Sequence, residues 1–314
     1  MSAAPERPIA VALHGGCGVM ARGDLPEADW TEAQETMQAA LRRGWSLLAE
    51  GAAALDAVEA VVVLLEDSPH FNAGHGAALN RDGVHELDAA IMDGGTGAAG
   101  AVCAARAIRN PVRAARAVMH RGEALLLAGP AADRFAASAG LELAPQTYFT
   151  TRRRVTALQA MQAHRTAGTQ AGASENEKHG TVGAVALDRN GHLAAATSTG
   201  GYTDKPDGRV GDSPLIGAGT YARDGVCAVS CTGQGEFFIR HVAAYGIAAR
   251  MQHLGEPVDV AARHMIETEL APHRIGAGLV ALDAKGRVSA PFNTQGMFRG
   301  WITCDGSMFT ATHR

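Results

Sequence analysis

The chain has 314 residues, of which 46% are hydrophobic, 19% charged and 5% aromatic, with a formal net charge of -4. This composition belongs to a globular chain with a sizeable core, and its slight acidity argues against the concentrated basic surface that nucleic acid requires. The basic clusters Arg42-Arg43 and Arg152-Arg153-Arg154 are short and read as solvated faces, and no apolar run is long enough to span a bilayer.

Residues 1–7 carry no apolar stretch of the signal-peptide type, and with the cysteine pattern below this points to a cytoplasmic protein. Residues 9–13 read as a strand that ends in the turn His14-Gly15-Gly16-Cys17-Gly18. Residues 31–50 have apolar positions at helical spacing (Met37, Ala40, Leu41, Trp45, Leu48) before Gly51, a C-cap residue. A second helix is predicted over 55–66, then a Gly-rich segment over 71–79. Residues 86–92 and 100–108 read as strands, and 111–119 and 131–137 as helices around the apolar run 124–127. Residues 166–178 (TAGTQAGASENEK) have no large apolar side chain and read as a flexible linker.

After this gap, 181–188 and 192–199 are predicted strands joined by Arg189-Asn190-Gly191, a hairpin signal. A similar unit recurs at 280–294, and the two are expected to be hairpins of one sheet layer. Amphipathic helices are predicted over 236–253 and 258–270, and short strands over 277–282, 297–303 and 308–311. Helices packed on antiparallel-rich sheets make a layered α+β sandwich. The five cysteines, Cys17, Cys103, Cys227, Cys231 and Cys304, are odd in number and irregularly spaced, form no zinc-type cluster, and read as buried reduced thiols. Cys227 and Cys231, four apart, would share one strand face.

The chemistry centres on Thr181. A Thr hydroxyl is a poor nucleophile without a base, but a Thr at a chain terminus carries its own, an α-amine with an unperturbed pKa near ~8. Exposing that amine requires the bond after Gly180 to break, and glycine permits the strained backbone in which the next hydroxyl reaches its carbonyl. Alone, Gly-Thr is an ordinary strand opening. Two further hydroxyl-rich strand ends accompany it: Thr197-Ser198-Thr199 before Gly200-Gly201, and Thr232 before Gly233-Gln234-Gly235. If those ends lie side by side in one sheet, a Thr hydroxyl and a backbone N–H make an oxyanion hole. Between them, KPDGRVGDSP over 205–214 places Arg209 and Asp212 on one Gly-rich loop, able to hold an α-carboxylate and an α-ammonium, or simply to form a surface ion pair.

HGTVGAVALDRNGHLAAATSTGG, GRVGDSPLIGAG and VSCTGQGE, with HGGCG, FNAGHGAALNRDGVHELDAAIMDG, RNPV and PFNTQGM, resemble the plant-type L-asparaginase and isoaspartyl peptidase family over about residues 9–310. The resemblance implies a four-layer αββα sandwich of the N-terminal nucleophile hydrolase type. It implies one folded unit that cuts itself between Gly180 and Thr181 into an α subunit (1–180) and a β subunit (181–314), two such pairs forming a dimer. It makes Thr181 the nucleophile, with Thr199 orienting it. Arg209 and Asp212 would bind the substrate head group, Thr232 and Gly233 the oxyanion, with Gly235 at the pocket floor and Asn72 as support. It implies no catalytic cofactor, but a structural sodium ion held by the backbone carbonyls of Leu65, Glu66, Ser68, Phe71, Ala73 and His75. His75 stands where an aliphatic residue is expected. The implied activity is hydrolysis of L-asparagine and of β-aspartyl dipeptides, with small molecules and dipeptides as partners and no nucleic acid or membrane. Glycosylasparaginase, a threonine-type endopeptidase and a self-cleaving scaffold without turnover are the alternatives.

Overall fold

A computed structural model describes residues 8–18, 26–169 and 180–313. The predicted linker at 166–178 lies mostly outside them: its first residues end a helix and the remainder is not described. The described residues build two sheets flanked by helices, a mixed α and β architecture.

The larger sheet has eight strands. They are β1 (Ala10–Gly18), β2 (Leu87–Asp93), β3 (Ala99–Ala105), β4 (Leu126–Ala128), β5 (Val182–Leu187), β6 (Leu193–Thr199), β11 (Gly296–Ile302) and β12 (Met308–His313), in the order β12-β11-β1-β5-β6-β2-β3-β4. Every neighbouring pair is antiparallel except β3 and β4. The smaller sheet runs β10-β9-β8-β7, from β7 (Thr220–Arg223), β8 (Cys227–Gly233), β9 (Ala277–Asp283) and β10 (Val288–Ser289).

Helix α1 (Glu27–Ala49) starts four residues before the expected position, and α2 (Ala54–Glu66) and α3 (Pro111–Arg121) follow the prediction closely. The α3 bounds follow from its sequence. Pro111 sits in the first turn, and Gly122, with φ 70°, takes the left-handed cap. Further along come α4 (Gly129–Ser138), the short α5 (Gln146–Phe149) and α6 (Arg152–Thr166). The sequence reading missed α6, whose N-cap Thr151 accepts a bond from the Arg154 N–H at 3.3 Å. One apolar cluster joins α1, α2 and α3 to the eight-stranded sheet, with Met37, Leu41, Val58, Val61 and Val112 meeting Val11, Leu13, Ile91 and Val102. The alternate residues of the same strands, Ala10, Ala12, Val185 and Leu187, meet Ala228, Val280 and Leu282 of the smaller sheet, as period-2 strand geometry requires. A third cluster sets Cys227, Val229, Cys231 and Leu279 against the helices that follow β8.

Five expectations change. The strand expected to stop at Leu13 continues to Gly18, because the register shift between His14 and Cys17 absorbs the glycines as a bulge. The two similar hairpins do not share a layer: β5–β6 belongs to the larger sheet and β9–β10 to the smaller. The helix predicted over 236–253 breaks at Val242 (φ 47°) into α7 (Gly235–His241) and α8 (Ala243–Leu254). The first amides of α8 turn instead to loop carbonyls, Ala244 N–H to Ala218 at 3.1 Å and Tyr245 N–H to Gly217 at 2.8 Å. The last predicted helix is α9 (Val258–His264), which continues as a π-helical turn over Met265–Leu270. Of the thiols, Cys17, Cys103, Cys227 and Cys231 are buried as expected, while Cys304 is exposed.

Candidate active site

Gly180 and Thr181 lead directly into β5, which runs in the middle of the eight-stranded sheet between β1 and β6. Thr181 is buried, and its hydroxyl donates to Thr199 Oγ1 at 3.1 Å, at the end of the neighbouring strand. Thr199 Oγ1 also accepts the Gly201 N–H at 3.0 Å. The carbonyl of Gly180, which belongs to the Gly180–Thr181 peptide bond, accepts the Asn72 N–H at 3.3 Å. Asn72 then fixes the turn after β6. Its Nδ2 donates to the Gly201 carbonyl at 2.6 Å, its own carbonyl accepts the Gly200 N–H at 3.0 Å, and its Oδ1 accepts the Ala78 N–H at 2.6 Å. The bulge in β1 brings Gly16 against the same peptide. With φ at 102°, a Cβ there would lie 2.6 Å from Gly180 Cα, so only glycine fits.

His14 has a place here that the sequence reading did not assign. Its ring is buried, with Nδ1 3.1 Å from the Thr181 carbonyl and Nε2 2.9 Å from Ser230 Oγ. Burial pulls its pKa down to about 3, with the Thr181 carbonyl opposing only in part, so the ring is neutral. A carbonyl can only accept, which places the single ring proton on Nδ1 and makes Nε2 the acceptor of the Ser230 hydroxyl. Ser230 Oγ in turn lies 2.7 Å from Thr197 Oγ1, and Thr197 Oγ1 accepts from Thr220 at 2.6 Å. This hydroxyl chain crosses from the larger sheet to the smaller. The only signal for it was the HGG string, which read as a turn.

Thr199 and Thr232 end strands of different sheets, β6 and β8. The two hydroxyl-rich ends are therefore not neighbours in one sheet. The Thr232 side chain is fully buried and its hydroxyl has no hydrogen-bond partner among the described residues. Gly233 has φ 146°, and a Cβ there would lie 2.5 Å from the Gly276 carbonyl. A Cβ on Gly235 would lie 2.8 Å from Asp212 Oδ1, so glycine keeps the space beside that carboxylate open.

Arg209 and Asp212 form no surface ion pair. The Arg209 side chain is 13% exposed, its Nε donates to Glu236 Oε1 at 2.9 Å, and its guanidinium lies 4.6 Å from the Tyr202 ring centre. Glu236 and Tyr202 are partners that the sequence reading missed. Asp212 is buried with Oδ2 lacking a hydrogen bond. Burial pushes its carboxyl up to about 7, and the nearby Arg209 charge offsets only part of that.

The segment from Leu65 to His75 folds back on itself through the His75 N–H, which donates to the Glu66 carbonyl at 2.7 Å. The carbonyls of Pro69 and Phe71 converge on the position a Gly76 Cβ would fill, at 2.7 and 2.8 Å. Asn72 and Ala73 sit on the same segment, so this loop and the Gly180–Thr181 peptide are held by one short stretch of chain.

Comparison with known proteins shows the family of the chain. Residues 7–311 match the family described as Asparaginase. The chain is 46% identical over 307 residues to the isoaspartyl peptidase of Escherichia coli strain K12, covering 97% of this chain and 96% of that protein. It is 39% identical over 289 residues to the isoaspartyl peptidase/L-asparaginase of Rattus norvegicus, covering 92% and 84%. It is 38% identical over 294 residues to the plant-type L-asparaginase of Pyrobaculum calidifontis, covering 93% and 96%.

Proposed function

The chain belongs to the asparaginase family, and on that premise we propose that it hydrolyses L-asparagine to L-aspartate and ammonia and removes β-aspartyl residues from dipeptides. In this reading the chain first cuts itself between Gly180 and Thr181. The observation that carries it is the buried Thr181 hydroxyl, bonded to Thr199 directly after a glycine whose carbonyl is already engaged by a backbone amide. The fold supports the reading, since three apolar clusters stacked between helices, sheet, sheet and helices suit a four-layer αββα sandwich.

Self-cleavage needs the Thr181 hydroxyl to attack the Gly180 carbonyl carbon. The Asn72 N–H bonded to that carbonyl oxygen is placed to stabilise the charge that develops there. The Gly180–Thr181 C–N bond then breaks, leaving Gly180 as an ester on Thr181 Oγ1, and water hydrolyses that ester to a Gly180 carboxylate and a free Thr181 hydroxyl and α-amine; the amine takes the hydroxyl proton in the second reaction. Thr181 Oγ1 then attacks the side-chain amide carbon of asparagine or the isopeptide carbon of a β-aspartyl dipeptide. The Thr232 hydroxyl and the Gly233 N–H receive the oxyanion, and the unpartnered Thr232 hydroxyl suits that role. Arg209 holds the substrate α-carboxylate and Asp212 its α-ammonium, so only β-linked carbonyls reach the nucleophile. The amine leaves, an ester to Thr181 remains, and water releases aspartate.

The resemblance also implies a structural sodium ion, and the backbone carbonyls it names, of which those of Glu66 and Phe71 lie close against Gly74 and Gly76, are the oxygen donors a hard cation takes. Leu65, Glu66, Ser68, Phe71, Ala73 and His75 would hold it through their carbonyls. The ion would supply loop order and no catalysis. A homodimer of cleaved pairs and a cytoplasmic location complete the proposal. Among the described residues, no helix is long and apolar enough to cross a membrane.

Intact mass and N-terminal sequencing test the reading. The expected result is a second N-terminus reading Thr-Val-Gly-Ala-Val, and a single inactive chain for Thr181→Ala. Cleavage persisting in Thr181→Ala rules out Thr181 as the attacking group.

A further inference from the structure

Three buried charged residues have no part in the chemistry above. Asp88, Glu86 and Lys205 are 0%, 1% and 0% exposed. Side chains of these types are almost never so deeply buried unless they are paired. Glu86 immediately precedes β2 and Asp88 is its second residue, both before the proposed cut. Lys205 opens the loop, after the cut, that carries Arg209 and Asp212.

The contacts converge on that loop. The Gly208 N–H donates to the Glu86 carboxylate at 3.1 and 3.3 Å, and the same carboxylate takes the Arg106 guanidinium at 2.9 Å. Lys205 Nζ donates to the Glu86 backbone carbonyl at 3.0 Å. Asp88 lies opposite Thr199 in the β2–β6 register, and its Oδ1 accepts the Ala104 N–H at 2.8 Å. Ala104 has φ 48°, a conformation that costs a residue with a Cβ roughly 1–2 kcal/mol and persists only where its surroundings impose it. The other Asp88 oxygen has no hydrogen bond. Burial pushes its pKa above the usual aspartate range, and the Lys205 charge, the Ala104 amide, the Arg209 charge and the Gly211 amide offset that only in part. Lys205 Nζ and Arg209 Nη1 both approach Gly201, at 3.0 and 3.4 Å from where a Cβ would stand. The acids of β2 and the cations of the loop therefore share one buried volume beside the turn that holds Thr199.

We propose that Asp88 and Lys205, anchored by Glu86, are positioning residues that mount the 205–212 loop so that Arg209 and Asp212 meet the substrate's carboxylate and ammonium together. This rests on the head-group reading of Arg209 and Asp212 given above. Among the described residues no hydrogen bond joins Asp88, Glu86 or Lys205 to Thr181 or Thr232, and their contacts run to the 205–212 loop, so the mount acts on recognition and not on bond breaking.

The test uses the full-length, self-cleaved protein, with L-aspartate and succinate (which lacks the α-ammonium) as calorimetric probes and a β-aspartyl dipeptide as substrate. Asp88→Asn is expected to cleave itself normally. It should raise the dipeptide KM and the aspartate Kd by about tenfold, with a much smaller change in kcat. Its preference for aspartate over succinate should shrink, a readout that a merely structural role would not move. Lys205→Met should lower the Tm, because it leaves a buried carboxylate uncompensated. The double variant Asp88→Asn/Lys205→Met should recover that Tm without recovering the aspartate preference. An unchanged preference and KM in Asp88→Asn overturns the proposal. So does a fall in kcat as large as the change in binding, or failure of both Asp88→Asn and the double variant to fold. If the wild-type protein itself does not distinguish aspartate from succinate, the head-group reading falls, and the mount falls with it.

Discussion

In the ligand-free protein the Asp212 carboxyl titrates near neutrality, because burial disfavours its charge and one of its oxygens lacks a donor. In the proposed function a substrate α-ammonium would supply that donor, and only the ionised carboxylate can hold one well. Below about pH 7 the acid is protonated and the site is weakened; above it the site is ready. Aspartate binding should therefore weaken as pH falls through about 7, while succinate binding lacks that dependence. Calorimetric Kd values for the two ligands across this range check it, and the difference between them isolates Asp212 from the Thr181 amine. The sequence placed Arg209 and Asp212 on one Gly-rich loop, as a head-group clamp or a surface ion pair, and the structure takes both away from the surface. Their partners were not legible. Glu236 belongs to α7 and Tyr202 to the turn after β6, and nothing in the spacing of either residue announces a contact with Arg209. His14 was hidden for a related reason: its role depends on β5 and β8 arriving beside β1, and both follow it by more than 160 residues.

Val242 shows the same tension one level up. The apolar periodicity over 236–253 is continuous, and the sequence offers no glycine or proline at the break. The helix divides because the loop carbonyls of Gly217 and Ala218 capture the first amides of α8. A β-branched residue with φ 47° is costly, and this side chain is 47% exposed. Val242→Gly should remove that strain while giving up little packing, and raise stability by about 1 kcal/mol with kcat unchanged. Thermal unfolding and steady-state kinetics check both parts. Elements bounded by their own chemistry were read closely, as with α3 between Pro111 and Gly122. Elements bounded by tertiary partners were not, and the bulge in β1 and the π turn after α9 are of that kind.

The hairpins at 185–199 and 280–294 are close in sequence, and local pattern gave no reason to separate them. They entered different sheets because a strand's partners are chosen by the whole chain. The same topology makes a prediction about the cleaved molecule. Strands from before residue 180 are interleaved with strands from after it: β11 and β5 flank β1, and β6 pairs with β2. The two pieces should therefore co-elute in native size-exclusion chromatography after complete self-cleavage and part only in denaturant. Separation in native buffer would contradict this strand order. Chain termini are ordinarily the loosest part of a protein, frayed and at the rim. Here the proposed cut would create a terminus in the interior of an eight-stranded sheet, with a strand already bonded on each side of β5. The new amine would be as rigidly held as a core residue from the moment it forms, so the protein would gain a reactive chain end without the disorder that chain ends bring.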